Sequence, residues 1–61
     1  MYSKYWMIET EDWGVVGYEN CKRQSYEEVK EWAVQEFGQE QLGEIWPVTS
    51  WELYESSIDI Y

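Results

Sequence analysis

The chain has 61 residues, of which 13 are acidic and 4 basic, with no histidine and one cysteine, for a formal charge of −9. A lone cysteine excludes an intrachain disulfide, and the lack of histidine excludes a zinc site of the ordinary Cys/His kind. One domain, residues 1–61, is expected, and a domain this small buries only about 60% of its unfolded surface; five tryptophans, six tyrosines and one phenylalanine must therefore supply much of the core.

Residues Tyr2 to Glu9 alternate as a strand does, with Tyr2, Lys4, Trp6 and Ile8 on one side and Ser3, Tyr5, Met7 and Glu9 on the other. Thr10 to Gly14 reads as a turn in which Gly14 takes a positive φ. Gly14 to Tyr18 is a short second strand, and the pair forms an antiparallel hairpin. After a polar loop, Ser25 and Glu28 make a capping box, and Glu27 and Glu28 suit the positive end of a helix dipole. The helix is predicted over Tyr26 to Phe37, with Gly38 as its stop. At helical spacing Tyr26, Val29, Trp32, Ala33 and Phe37 share one face, while Glu27, Glu28, Glu31 and Gln35 share the other.

Glu44 to Val48 reads as a third strand, placed at an edge or ended by Pro47, which has no backbone N–H to give to a ladder. Trp51 to Glu55 is expected as a short helix that Thr49 or Ser50 could cap, Ser50 being a good N-cap, with alternation over Trp51 to Tyr54 allowing a fourth strand instead. Ile58 and Ile60 alternate in a tail that reads as a strand, a docking arm or a frayed end. The expected class is α+β, laid out ββαβ with a short C-terminal helix or strand.

No catalytic set is legible, so no enzyme is expected. A serine, threonine or cysteine nucleophile needs a neighbouring base, usually histidine. Cys21 is followed by Lys22 and Arg23, which favour a thiolate, yet no base stands beside it. Glu9, Glu11 and Asp12 cluster at the turn, but their spacing is not that of a calcium loop. They read as a solvated acidic turn, and neither a metal nor a cofactor is expected. The strong negative charge disfavours nucleic acid and anionic membrane as direct partners and favours a basic protein. The opening residues Met1 to Trp6 lack the basic and apolar regions of a signal peptide. No run approaches the ~18–20 apolar residues that cross a bilayer. A cytoplasmic location is the expectation.

Eleven of the 13 carboxylates fall on the helix (Glu27, Glu28, Glu31), the hairpin turn (Glu9, Glu11, Asp12) and the later segments (Glu40, Glu44, Glu52, Glu55, Asp59). In short length, acidity and aromatic content the whole chain resembles small phage-encoded inhibitors, including DNA-mimic anti-restriction and anti-CRISPR proteins. The resemblance lies in composition and not in a motif. It implies a stoichiometric inhibitor, acting in the cytoplasm of a host cell, that occupies the nucleic-acid site of a basic protein. The residues expected to bind are Glu27, Glu28 and Glu31 first, with Glu9, Glu11 and Asp12. The alternative is a small homo-oligomeric interaction module, a homodimer in its simplest form. It would act through exposed aromatics: Trp13 at the turn, Trp46 beside Pro47, Trp51 and Tyr54.

Overall fold

A computed structural model of the chain describes residues 3–61. Strand β1 (Tyr5–Thr10) and strand β2 (Gly14–Glu19) form the expected antiparallel hairpin. Helix α1 (Tyr26–Phe37) and a 3-10 turn (Gln39–Gln41) lead into strand β3 (Leu42–Pro47), and helix α2 (Ser50–Ser56) leads into strand β4 (Asp59–Ile60). The four strands lie in the order β3-β1-β2-β4. β1 is antiparallel to β2 and to β3, and β4 is parallel to β2.

The expected ββαβ layout is therefore not the order found. The chain runs ββαβαβ, because the last twelve residues hold both a helix and a strand where one or the other was expected. Other boundaries also shift. Ser3 and Lys4 precede β1 instead of belonging to it, and the expectation for Tyr2 falls outside the described residues. The Ser3 carbonyl is held by side chains, accepting from Trp6 Nε1 at 3.1 Å and Asn20 Nδ2 at 2.8 Å. Thr49, not Ser50, is the N-cap of α2, and its side chain makes no capping bond.

Helix α1 starts and stops where the sequence places it. The Ser25 side chain accepts from the Glu28 N–H, and the Glu28 carboxylate accepts from the Ser25 N–H at 3.0 Å. Gly38 ends the helix with its N–H on the Val34 carbonyl at 2.8 Å. The aromatic face of α1 covers the sheet as expected. Trp6, Ile8, Val16 and Tyr18 meet Val29 and Ala33 in the main core, with Trp32, Phe37, Leu42 and Ile45 packed at its border. Tyr26 is more exposed but tilts against Trp6, with ring centroids 5.8 Å apart. At the far edge Tyr61 closes the same layer against Trp32 and Phe37, both in edge-to-face contact.

Helix α2 covers the opposite face, which explains why three consecutive β1 residues, Trp6, Met7 and Ile8, are all buried. Trp6 and Ile8 face α1, whereas Met7 faces α2 and accepts from Ser57 Oγ at 3.1 Å. Met7 pairs with Gly17 across the hairpin. Leu53 is completely buried there. A Cβ at Gly17 would stand 2.5 Å from Leu53 Cδ1 and 2.7 Å from Ser57 Oγ. Only a residue without a side chain lets the helix lie this close.

β3 is an edge strand and Pro47 is its last residue, as its missing N–H requires. Val48 N donates to the Tyr5 carbonyl at 3.0 Å. By the alternation of an antiparallel ladder, Pro47 therefore turns its nitrogen to the free edge, where no N–H is offered to another strand.

The closeness of α2 to the sheet is open to a direct test. Gly17→Ala should destabilise the protein by about 1–3 kcal/mol, the ordinary cost of overpacking a well-filled core, seen as a lower urea midpoint; an unchanged midpoint would mean that α2 does not press on the sheet. The opposite layer has a test of its own at Tyr18, whose hydroxyl donates to Gln24 Oε1. Burial, and to a lesser extent the charge of Cys21, holds its pKa above the usual tyrosine value. The folded state then retains a proton that the unfolded chain releases above about pH 10. Stability from this source is complete below that pH and falls as pH rises toward the folded value. Tyr18→Phe should flatten the decline in denaturation midpoint between about pH 9 and 11, and an equal decline in both proteins would remove Tyr18 as its cause.

Candidate functional site

The residues expected to bind a partner are all at the surface, but they do not form one surface. Glu27, Glu28 and Glu31 are exposed on the outer face of α1. Glu28 is partly committed to the capping box, and Lys30 stands among the helix carboxylates. Glu9, Glu11, Asp12 and Trp13 lie at the hairpin turn. Trp46 is on β3, paired with Met7 and so on the α2 side of the sheet. Trp51 and Tyr54 are exposed on α2, whose buried contact is Leu53.

Topology divides the charges unequally. Tyr5 of β1, Glu19 of β2 and Val48 after β3 meet at one end of the sheet. That end carries Lys4 and the β2–α1 loop with Lys22 and Arg23, three of the four basic residues. The first turn of α1, with Glu27 and Glu28, begins beside this loop. The other end holds the hairpin turn, the 3-10 turn and the start of β3. Its charged side chains include Glu9, Glu11, Asp12, Glu40 and Glu44, with Asp59 next along the β4 edge, and among the described residues it carries no base. Glu9, Glu11 and Glu40 line a shallow hollow there of about 290 Å³. The anionic pole is thus the hairpin end, and the α1 face placed first by sequence is the more mixed of the two.

The acids of the pole surround a surface without converging on a point. No three carboxylate or cysteine groups among the described residues are placed to hold a metal ion. Cys21 is exposed in the loop at the basic end. No helix is long and apolar enough to cross a membrane among the described residues.

The hairpin turn itself is firmly held. Thr10 Oγ1 donates to the Gly14 carbonyl at 2.7 Å and accepts from Trp13 N at 3.1 Å. Gln41, 29 positions along the chain from Asp12, braces it from the side: Asp12 N donates to Gln41 Oε1 at 3.0 Å, and Gln41 Nε2 donates to Asp12 Oδ2 at 2.8 Å. Glu11 N donates to the Gln41 carbonyl at 2.8 Å. Sequence reading misses Gln41 entirely, since nothing local marks a glutamine as the partner of a distant turn. Three successive N–H groups of the turn are bonded within the protein.

Tyr54 reaches back toward the basic end. Loss of hydration first, and the neighbouring Glu19 carboxylate second, raises its pKa above the usual tyrosine value. A tyrosine hydroxyl is protonated at neutral pH in any case, so the shift acts only at alkaline pH.

Removing the brace gives a local test. Gln41→Ala should cost about 0.5–1.5 kcal/mol of stability and accelerate hydrogen exchange at the Asp12 amide. Glu11, whose partner is a backbone carbonyl, should change less. Unaltered exchange at Asp12 would show that the turn holds its shape without Gln41.

No family model matches the chain, and no curated protein or solved structure is detectably similar to it.

Proposed function

We propose that this protein is a binding inhibitor that occupies the nucleic-acid site of a basic protein, presenting carboxylates where phosphates would lie. The observation that carries this reading is the segregation of charge. A chain of net charge −9 places three of its four bases at one end of the sheet and leaves Glu9, Glu11, Asp12, Glu40 and Glu44 at the other without a base among them. Charge arranged for solubility alone gains nothing from such separation, whereas a one-signed pole steers a cationic partner and raises its rate of encounter. The outer face of α1, with Glu27 and Glu31, extends the negative surface along the molecule. The compositional resemblance to phage-encoded inhibitors of restriction and CRISPR systems points the same way, and such an inhibitor would work in the host cytoplasm.

Exposed aromatics favour a second reading, in which the protein assembles with itself. Trp51 and Tyr54 stand out from α2, and burying them in a dimer would extend a small core. Self-association must bring together two bodies of the same strong charge, so it should strengthen with salt. Binding to a basic protein should weaken with salt.

The test begins with the immobilised protein in a bacterial lysate, eluted first with duplex DNA and then with salt. A captured basic protein should be released by the duplex, and the free inhibitor should displace DNA from that protein in a gel-shift assay. Raising salt from 50 to 200 mM should weaken the complex by roughly tenfold or more. The variant E9K/E11K/E40K should lose displacement while retaining its fold, with E27K/E28K/E31K losing less. Displacement that survives both triple reversals would sink the carboxylate mechanism, and a dimer that tightens with salt in sedimentation would favour self-assembly.

A further inference from the structure

At the anionic pole the hairpin tip carries an apolar patch that none of the described residues covers. Trp13 is 61% exposed and Ile58 is 75% exposed. Ile58 lies directly against Gly14, the neighbour of Trp13. A Cβ on Gly14 would stand 2.7 Å from Ile58 Cδ1, and Gly14 has φ 76. The Ile58 N–H donates to the Val15 carbonyl at 3.0 Å, which pins the tail to the tip. Glu11 and Asp12 precede Trp13 on the turn, Asp59 follows Ile58 in the chain, and Glu40 precedes Gln41, which braces the hairpin. An apolar centre within a charged rim is the anatomy of an interface, and large apolar side chains held in water on a braced turn need little ordering on binding.

From this juxtaposition we propose that the hairpin tip is the docking point for an arginine-bearing segment of the partner, with a guanidinium stacked on Trp13 and paired to the neighbouring carboxylates. The inference rests on the inhibitor reading above and names the surface and the side chain it recognises. Charge complementarity selects the occupant. A second copy would press two anionic poles together, whereas a cationic segment meets the carboxylates of the adjoining turn. Arginine fits better than lysine because its flat, weakly hydrated cation lies on an indole face and still forks toward a carboxylate. Trp51 provides an internal control: it is as exposed as Trp13, at 64%, but stands on α2 away from the hairpin tip.

The experiment is a nuclear magnetic resonance titration of the whole chain at physiological salt with nona-arginine and, separately, with nona-lysine. Five indole N–H signals report the five tryptophans. Nona-arginine should shift the Trp13 indole, the Glu11 to Gly14 amides and Ile58 well beyond the Trp51 indole, and nona-lysine should bind more weakly. Trp13→Ala should weaken nona-arginine binding by roughly tenfold, whereas Trp51→Ala should change it less than twofold. Both side chains are exposed, so both variants should keep the dispersed spectrum of the native fold. Equal shifts at Trp13 and Trp51, shifts centred on Glu27 to Glu31, equal affinity for the two peptides, or unchanged affinity in Trp13→Ala would each overturn the proposal. The two readings fail separately. Arginine binding at the tip without displacement of DNA from a basic protein refutes mimicry alone, and displacement that Trp13→Ala leaves intact refutes the tip alone.

Discussion

Leu53 rests on the bare backbone of Gly17, and through that contact a short chain covers both faces of a four-stranded sheet. A single helix on one face would leave Met7 and the hairpin backbone open to water. With α2 in place, the two central strands are covered on both faces. The cost is that α2 has only seven residues and no side-chain cap, too short to hold its shape alone. Its helical form depends on the tertiary contact, and so does β4, which reaches the edge of β2 only because α2 carries the chain across the sheet. β4 in turn brings Tyr61 against Trp32 and Phe37. The closure of the α1 layer thus depends on a contact made on the other side of the sheet.

The same topology sorts the charge. Successive elements run to and fro between two ends, so residues far apart in sequence gather at one end or the other. Lys4 precedes β1 and Lys22 and Arg23 follow β2, so antiparallel pairing of the two strands brings them to one end. Glu11 and Asp12 in the turn meet Glu40 at the close of α1 because that helix spans the length of the sheet. Gln41 then joins the two acidic segments through hydrogen bonds at a place where their charges repel. Replacing Gln41 by a carboxylate would both add to the repulsion and lose the donor to Asp12.

Elements marked by local chemistry are legible in the sequence. The capping box of Ser25 and Glu28, the apolar stripe of α1, the positive φ of Gly14 and the edge position implied by Pro47 each rest on a few neighbouring residues. Features set by distant partners are not. Ser50 has the chemistry of a cap, yet Thr49 takes that position. The choice between helix and strand over 51–55 turns on Leu53 meeting Gly17, a contact that leaves no periodic trace. The exposure of the candidate acids and aromatics is legible. Their division into a mixed face on α1 and an unmixed pole at the hairpin is not, because charge segregation depends on strand direction and not on composition.

Exposure at the hairpin tip is itself costly, which bears on why it persists. Trp13 and Ile58 could each be polar without loss of core, since neither lies in it. The surrounding acids raise the repulsion that the fold must overcome, and the turn needs Thr10, Gln41 and a glycine to stay in place. In a domain whose margin of stability is small, a side chain that adds nothing to the core and a rim that subtracts from stability are difficult to attribute to folding. The proposed binding role would account for both at once. An apolar anchor would gain by leaving water against a partner, and carboxylates that repel one another in the free protein would be relieved by cations on that partner. The features that weaken the isolated fold at this end are those that an interface with a basic protein would use.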